Sequence, residues 1–383
     1  MKILYHHRTL GDGAEGIHIR EMVKAFRELG HEVMVIGPTG ETPPESSRKA
    51  KTLGQIKRLI PQALYELLEI AYTGHCAWKT FSAIHAFRPD FIYDRYITFN
   101  AGTILAGRLS RIPVCLEVNA PLAMERSVQQ DERLVFRGIA SWMEKWICSN
   151  ATHTVVVSTP LKQYLESIGV PRGKCIVMPN GVDPQRFTPR TRDRVLSDDL
   201  GIPQDSFVVG FTGVLRPWHG LDLLLDAFTD MIKSGHKAFL LIVGDGPYRD
   251  TLEKRMDDLG LGHSVRITGR IPHGRVPDYV SLFDVAVSPR ATFYASPMKV
   301  IEYMALGKPV VVPASSNFLD IIDNRSEGIT FEEGNAVALE QALVSLCEEP
   351  ELRRQLGIRA REKVVRRLNW QWNANEVCRH FSA

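Results

Sequence analysis

Strand and helix signals alternate through this chain, and the alternation begins twice. The first run opens with the strand Lys2-Ile-Leu-Tyr5 and passes Gly11-Asp-Gly13-Ala-Glu-Gly16. It continues into a helix with Ile19, Met22, Val23, Phe26 and Leu29 on one face. Gly30 ends that helix, and residues 31–36 form a second strand closed by Gly37-Pro38. A strand–helix–strand opening implies a parallel sheet covered by helices. Further strands are expected at 91–93, 114–118, 154–157 and 176–178, each with a polar loop at its carboxyl end. The Pro/Gly-rich stretch 179–189 interrupts the pattern, which restarts at 207–212 and repeats at 239–243, 265–268, 285–287 and 309–313. The expected fold class is α/β: two doubly wound parallel-sheet domains facing a central cleft at the strand carboxyl ends. We place them at 1–185 and 186–363. Residues 351–381 read as a basic helical pattern ending in Trp370 and Trp372, and segment 364–383 is expected to cross back onto the first domain.

A length of 383 residues suits two such domains, and 44% apolar with 24% charged residues is ordinary for a globular chain. A net charge of +3, without a run of five or six basic residues, argues against nucleic acid as a partner. The six cysteines stand far apart with no Cys-x-x-Cys pair, as expected of reduced thiols in a cytoplasmic protein rather than a zinc site. The first residues read as a strand and not as a signal peptide, and no apolar run approaches membrane-spanning length. Residues 39–54 read as a loop and 56–87 as helical, with Lys49, Lys51, Lys57 and Arg58 at the front. A helix pair packed on the sheet is the first reading of 49–87; weak peripheral contact with an anionic membrane face is the second.

The stretch 295–313 carries the clearest site. Ser296 and Pro297 suit the cap and first position of a helix that continues through Met298, Ile301 and Met304. Free N–H groups, the positive end of the helix dipole and Lys299 make a place for an anion such as a diphosphate, with Glu302 about one turn beyond. An ordinary surface helix between two strands is the plain alternative. Gly213 and the loop to Gly220 set Arg216 and His219 between a strand and a helix, where cations can neutralise a leaving diphosphate; the alternative is a surface loop around a packed Trp218. Gly269-Arg270-Ile271-Pro272 is a strand-end turn able to border a flat nucleobase, and Gly244-Asp-Gly-Pro247 is a structural turn. Arg95 and Asn119 follow first-domain strands and are placed to face the cleft, Arg95 on the acceptor side; a turn role for Asn119 before Pro121 is equally open. The glycines 11, 13 and 16 match Gly-x-Gly-x-x-Gly. The dinucleotide fingerprint fails, because five residues separate the strand from Gly11 and the second strand ends in Ile36-Gly37 without an acid. Gly16 keeps the narrower role of admitting a ligand close to the backbone.

With Gly-His-Glu-Val-Met-Val (30–35), Pro-Asn-Gly-Val-Asp-Pro (179–184), Gly-Asp-Gly-Pro (244–247) and Glu-Tyr-Met-Ala-Leu-Gly-Lys-Pro-Val-Val (302–311), the chain resembles glycosyltransferase family 4 over almost its whole length. That family comprises retaining nucleotide-sugar enzymes of GT-B fold. The resemblance implies that Glu302 grips the donor ribose and that Ser296, Pro297, Met298 and Lys299 form the phosphate-facing helix start. It implies that Arg270 and Ile271 meet the nucleobase and that Gly16 lies near the donor diphosphate. Three positions depart from the pattern. Tyr294 stands where a sugar-holding Glu is frequent. Gly213-Val214 replaces a Gly-Arg pair, leaving Arg216 as the nearest permanent cation. Asn119 stands where a His often approaches the reacting sugar. The chain is similar to a bacterial branch that carries Val-Asn-Ala-Pro, Pro-Trp-His-Gly and Ser-Pro-Met/Leu-Lys together, which implies departures belonging to a branch.

The function so implied is retaining transfer of a hexose-type sugar from a nucleoside-diphosphate sugar, UDP-linked, to a hydroxyl of a glycan, lipid-linked or small-molecule acceptor. No Asp-x-Asp occurs, so neither metal nor cofactor is expected. Arg216, Lys299 and the helix start would stabilise the leaving diphosphate, His219 would assist it, and Asn119 would contact the sugar. A sugar-nucleotide epimerase or hydrolase of the same fold is one alternative; a catalytically degenerate partner subunit is the other.

Overall fold

The computed structural model describes residues 1–9, 14–38, 60–128 and 133–382. They form two compact units, Met1–Pro179 with Trp370–Ala383, and Asn180–Asn369. The division falls six residues before the join expected at 185/186, and the return to the first unit comes at Trp370 rather than at 364.

In the first unit the elements run β1 (Lys2–His6), α1 (Ala14–Glu28), β2 (Glu32–Ile36), α2 (Gln62–Phe87), β3 (Phe91–Arg95), α3 (Gly102–Ser110), β4 (Val114–Val118), α4 (Leu122–Val128), α5 (Arg137–Asn150), β5 (His153–Val156), α6 (Thr159–Ser167) and β6 (Cys175–Val177). The six strands are parallel in the order β2-β1-β3-β4-β5-β6. Right-handed crossovers therefore set α1, which leads from β1 out to β2, on one face. The helices α2, α3, α5 and α6, which step the other way, lie on the opposite face. Only the part of the expected 56–87 helix from Gln62 onward is a described helix, and Lys49, Lys51, Lys57 and Arg58 lie outside the described residues. Gly16 sits in the first turn of α1 instead of in a turn ahead of it, while Gly11 and Gly13 lie outside the described residues.

The second unit runs α7 (Arg194–Asp199), β7 (Phe207–Thr212), α8 (Leu221–Lys233), β8 (Ala238–Val243), α9 (Arg249–Asp258), β9 (Val265–Ile267), α10 (Val276–Ser281), β10 (Val285–Val287), α11 (Met298–Ala305), β11 (Val310–Pro313), α12 (Ser316–Leu319), β12 (Gly328–Phe331), α13 (Ala336–Glu348) and α14 (Pro350–Arg367). Its strands are again parallel, ordered β12-β11-β10-β7-β8-β9. β7, β8 and β10 are buried along their whole length, as expected of strands covered on both faces. Three adjacent strands end in glycine: Gly213 after β7, Gly244 after β8 and, one residue on, Gly269 after β9. All three have positive φ, and a Cβ on Gly244 would stand 1.9 Å from the Gly213 carbonyl oxygen. The strand-end loops are thus layered backbone on backbone, a closeness only glycine permits.

The basic helical pattern expected from 351 to 381 is two helices, not one. Leu368 leaves helical geometry (φ −105, ψ 51) while its N–H still bonds the Val364 carbonyl, and the Asn369 side-chain amide closes the end by donating to the Val364 and Val365 carbonyls. At the same point Val182 N–H bonds the Leu368 carbonyl at 3.2 Å, so the chain enters and leaves the second unit side by side. The last helix, α15 (Trp370–Arg379), belongs to the first unit, where Trp370 meets His18 edge-on at 4.6 Å. Beyond it, Phe381 stacks on Phe91 at 4.4 Å.

α2 and α3 cross at Gly102. A Cβ there would lie 2.6 Å from the Thr73 carbonyl oxygen and 2.7 Å from the Ala77 nitrogen, backbone atoms that have no room to yield. Gly102→Ala should therefore lower stability by about 2–4 kcal/mol, read as a reduced urea midpoint at unchanged m-value.

Candidate functional site

The start of α11 is held open by its surroundings. Ser296 does not cap the helix as expected. Pro297 occupies the cap position without a side-chain hydrogen bond, and the Ser296 hydroxyl instead accepts the Asn180 N–H at 3.0 Å. The Asn180 amide in turn donates to the Ser296 carbonyl at 2.9 Å, and Asn317 donates to the Ala295 carbonyl at 3.0 Å. These bonds fix residues 292–297; Val300 N–H turns back to the Pro297 carbonyl at 3.0 Å, and the Met298 and Lys299 N–H groups at the helix start are the ones placed to face an anion.

One turn of α11 carries the site chemistry, and Tyr303 sets its rotation. The Tyr303 hydroxyl accepts the Thr212 N–H at 2.6 Å and meets the Thr212 hydroxyl at 2.9 Å, locking α11 to the end of β7. Lys299 then lies beside Gly213, where a Cβ would approach its Nζ to 2.9 Å. Its ammonium stands over the Phe211 ring at 4.1 Å and 3.5 Å from His219 Nδ1. Burial lowers the Lys299 pKa to about 7, against the opposing pull of Glu302. Among the described residues no carboxylate pairs with it. Burial, with Lys299 adding to it, pushes His219 down to about 3, so the imidazole is neutral at pH 7. His219 closes a single turn of 3-10 helix, Pro217–His219, ahead of α8, and Gly220 makes the left-handed step between them.

The other residues expected in this unit surround that centre. Arg216 is exposed, with its guanidinium 5.3 Å from the Trp218 ring. Arg270 is exposed just after Gly269, and Ile271 is partly buried against the core. Tyr294 is partly buried with its ring edge-on to Phe293. Glu302 is buried and accepts His273 Nε2–H at 3.0 Å. Arg186 lies 2.8 Å from His273 Nδ1. A guanidinium only donates, so Nδ1 is the acceptor and the neutral Nε2–H tautomer faces Glu302. Only one Glu302 oxygen is so engaged among the described residues. His273, Asn180, Asn317 and Tyr303 escaped the sequence reading: each acts through hydrogen bonds to residues distant in the chain, and Tyr303 looks like one more apolar position of α11. Gly246 adds to the loop layering, since a Cβ would meet the Leu215 carbonyl oxygen at 2.4 Å.

In the first unit Arg95 and Asn119 come together on Glu117. Its carboxylate accepts Arg95 at 3.0 Å, the Asn119 amide, and the Tyr93 hydroxyl at 2.9 Å, with His18 Nε2 at 3.3 Å. Burial, which favours the neutral acid, is outweighed by these neighbours, and the Glu117 pKa is lowered. Burial brings His18 to about 4. Arg95 also donates to His18 Nδ1 at 2.9 Å, so both side chains expected to face a ligand are held by an internal carboxylate.

Two family models match this chain: Glycosyltransferase Family 4 over residues 15–186 and Glycosyl transferases group 1 over residues 193–363. The sulfoquinovosyl transferase SQD2 of Arabidopsis thaliana is 27% identical over 370 residues, spanning 93% of this chain and 67% of its own. A GDP-mannose-dependent alpha-mannosyltransferase of Mycobacterium tuberculosis is 26% identical over 371 residues, spanning 95% and 91%. Among solved structures, that of Anabaena Alr3699/HepE in complex with UDP is similar with a TM-score of 0.73 at 18% identity, over 100% of each chain.

Lys299 gives this site a pH signature. Its folded pKa of about 7 lies below the value of about 10.4 for an unfolded lysine. Between those values the unfolded chain holds the extra proton, so Lys299 makes stability rise with pH, by at most about 1.4 kcal/mol per pH unit. Lys299→Met should be more stable than wild type at pH 7 and converge with it near pH 10, as measured by urea unfolding across that range.

Proposed function

Because this chain is a glycosyltransferase of family 4 with the GT-B fold, we propose that its second unit holds a nucleoside-diphosphate sugar, UDP-linked, and that the sugar passes to a hydroxyl acceptor with retention. The observation that carries this reading is Lys299, a desolvated cation with no carboxylate partner among the described residues, beside an uncapped helix N-terminus. Such a pair answers a diphosphate by its charge and its free N–H groups. The open oxygen of Glu302, one turn along, suits a ribose hydroxyl, while Arg270 and Ile271 border the base.

In the reaction so proposed, the bond from the anomeric carbon to the diphosphate oxygen breaks as the acceptor oxygen bonds to the same face. The acceptor proton passes to the departing diphosphate. Lys299, Arg216 and the start of α11 stabilise the charge that develops there, and neutral His219 offers a hydrogen bond without repelling the cation. No metal is required in this scheme. UDP is favoured by the UDP complex of the similar Anabaena protein. The GDP-mannose named for the mycobacterial relative is the rival donor. A lipid-linked or glycan acceptor fits the names of the relatives, which include a phosphatidylinositol monomannoside mannosyltransferase of Mycolicibacterium smegmatis.

Thermal shift against UDP, GDP and their sugars tests the donor: UDP near 100 Kd should add about 2.7 kcal/mol of stability. A shift with GDP alone would overturn the base assignment. With a responsive donor in hand, Lys299→Ala and Arg216→Ala should each cut turnover by about tenfold or more. Near-wild-type turnover in either removes that residue from the site, and loss of turnover in EDTA overturns metal independence.

A further inference from the structure

The face of the first unit that carries α2, α3 and α5 has its polarity inverted. On α2 the carboxylates point inward. Glu66 accepts the Val135 and Phe136 amides at 2.8 Å each, Glu69 is bound by Arg126 at 2.8 Å, and both are buried. The outward stripe of α2 is Leu64, Leu67, Leu68, Trp78 and Phe81, each at least 41% exposed. α5 repeats the arrangement. Glu144 is fully buried and takes the Tyr96 and Tyr164 hydroxyls, while Trp142 is 62% exposed. α3 has no carboxylate at all and exposes Leu109.

Water alone does not explain such a surface. Carboxylates cost free energy to bury, and large apolar side chains cost free energy to expose. Among the large apolar side chains that the described part of this unit exposes, only Leu29, just past α1, lies on the opposite face. Between the apolar residues stand the exposed cations Arg108, Arg137 and Lys145, and no carboxylate of these three helices reaches the surface to offset them.

Charge decides the occupant. A second copy of this chain would set cation against cation with no acid from these helices to pair them. An anionic lipid surface offers an apolar boundary for the indole, phenyl and leucine side chains, and phosphates for the arginines and lysine. No described helix is long and apolar enough to cross a membrane, so the fit is to lying on one. We propose that the outer face of α2, α3 and α5 rests on an anionic bilayer, with Trp78, Phe81 and the α2 leucines at the headgroup boundary. This inference does not depend on the donor or the chemistry of transfer.

Co-sedimentation of the full chain with vesicles tests it. Binding should appear with vesicles of mixed phosphatidylcholine and phosphatidylglycerol and be about tenfold weaker with phosphatidylcholine alone or in high salt. The double variant Trp78→Ser with Leu67→Ser should lose binding at least about tenfold while keeping its melting temperature, since both side chains are exposed. Arg137→Glu with Lys145→Glu should abolish the preference for the anionic lipid. Equal recovery with both vesicle types, absence of binding to either, or full binding by the Trp78/Leu67 variant would each overturn the proposal. A concentration-dependent dimer broken by Trp78→Ser, without vesicle binding, would overturn it in favour of a second copy.

Discussion

The phenolic oxygen of Tyr303 takes up the Thr212 N–H at the end of β7, and with it the rotation of α11 is decided. An eight-residue helix has little intrinsic stability, so a bond of this kind, made in a fully buried place, chooses which side chains face the strand ends. Four residues before Tyr303, Lys299 is brought over Phe211 and against Gly213; one residue before, Glu302 is delivered to His273. Replacing the phenol by a bare ring would leave the Thr212 amide unanswered and let the helix turn. The electrostatics of the second unit thus hang on a residue with no charge of its own.

The sequence reading reached the architecture because it is written in local periodicities. Buried strands read as unbroken apolar runs, and the joint at 179–189 reads as proline and glycine. The start of α11, Lys299, Glu302, and the strand-end glycines Gly213 and Gly269 were legible for the same reason: each follows a strand or opens a helix. What stayed hidden acts across the chain. Asn180 holds Ser296 from 116 positions away, and His273 reaches Glu302 from 29. Ser296 was misread because a serine before Pro297 has the pattern of a cap, whereas its hydroxyl found a better donor in the Asn180 backbone. The single helix expected from 351 to 381 fails at Leu368, where periodicity alone gives no warning and the Asn369 side chain supplies the stop. The helices α3 to α6 and the strand β12 carry short or interrupted patterns, and the sheet that orders them is not visible in any one segment.

The two units use buried charge differently. In the first, Glu117 gathers Arg95, His18, Tyr93 and Asn119 into a network in which most polar groups are answered, and such a network holds a surface in one shape. A second cluster under β1 and β3 behaves alike. Burial opposes a charge on His6, but Asp94 at 2.6 Å and Cys76 against its other nitrogen together outweigh it and raise His6 to about 10. In the second unit Lys299 meets only an aromatic ring and a neutral imidazole, with no carboxylate among the described residues to pair it. A cation kept dry and unpaired raises the free energy of the empty site and is relieved when an anion arrives, which ties affinity to the cost already present in the fold.

The side-by-side entry and exit at Val182 and Leu368 have a consequence for how the first unit is completed. Its last helix, α15, must find α1 across an intervening stretch of 190 residues, Asn180 through Asn369. As a flexible loop, that stretch would impose a closure entropy about 3 kcal/mol larger than a connection of a few residues. Once the second unit has folded, the bond from Val182 N–H to the Leu368 carbonyl holds the two ends together, and the loop behaves as a short one. The second unit therefore serves the first as a clasp. Its melting would loosen α15 from a sheet it never touches in sequence, so heat would undo the two units as a sequence of events and not as independent parts.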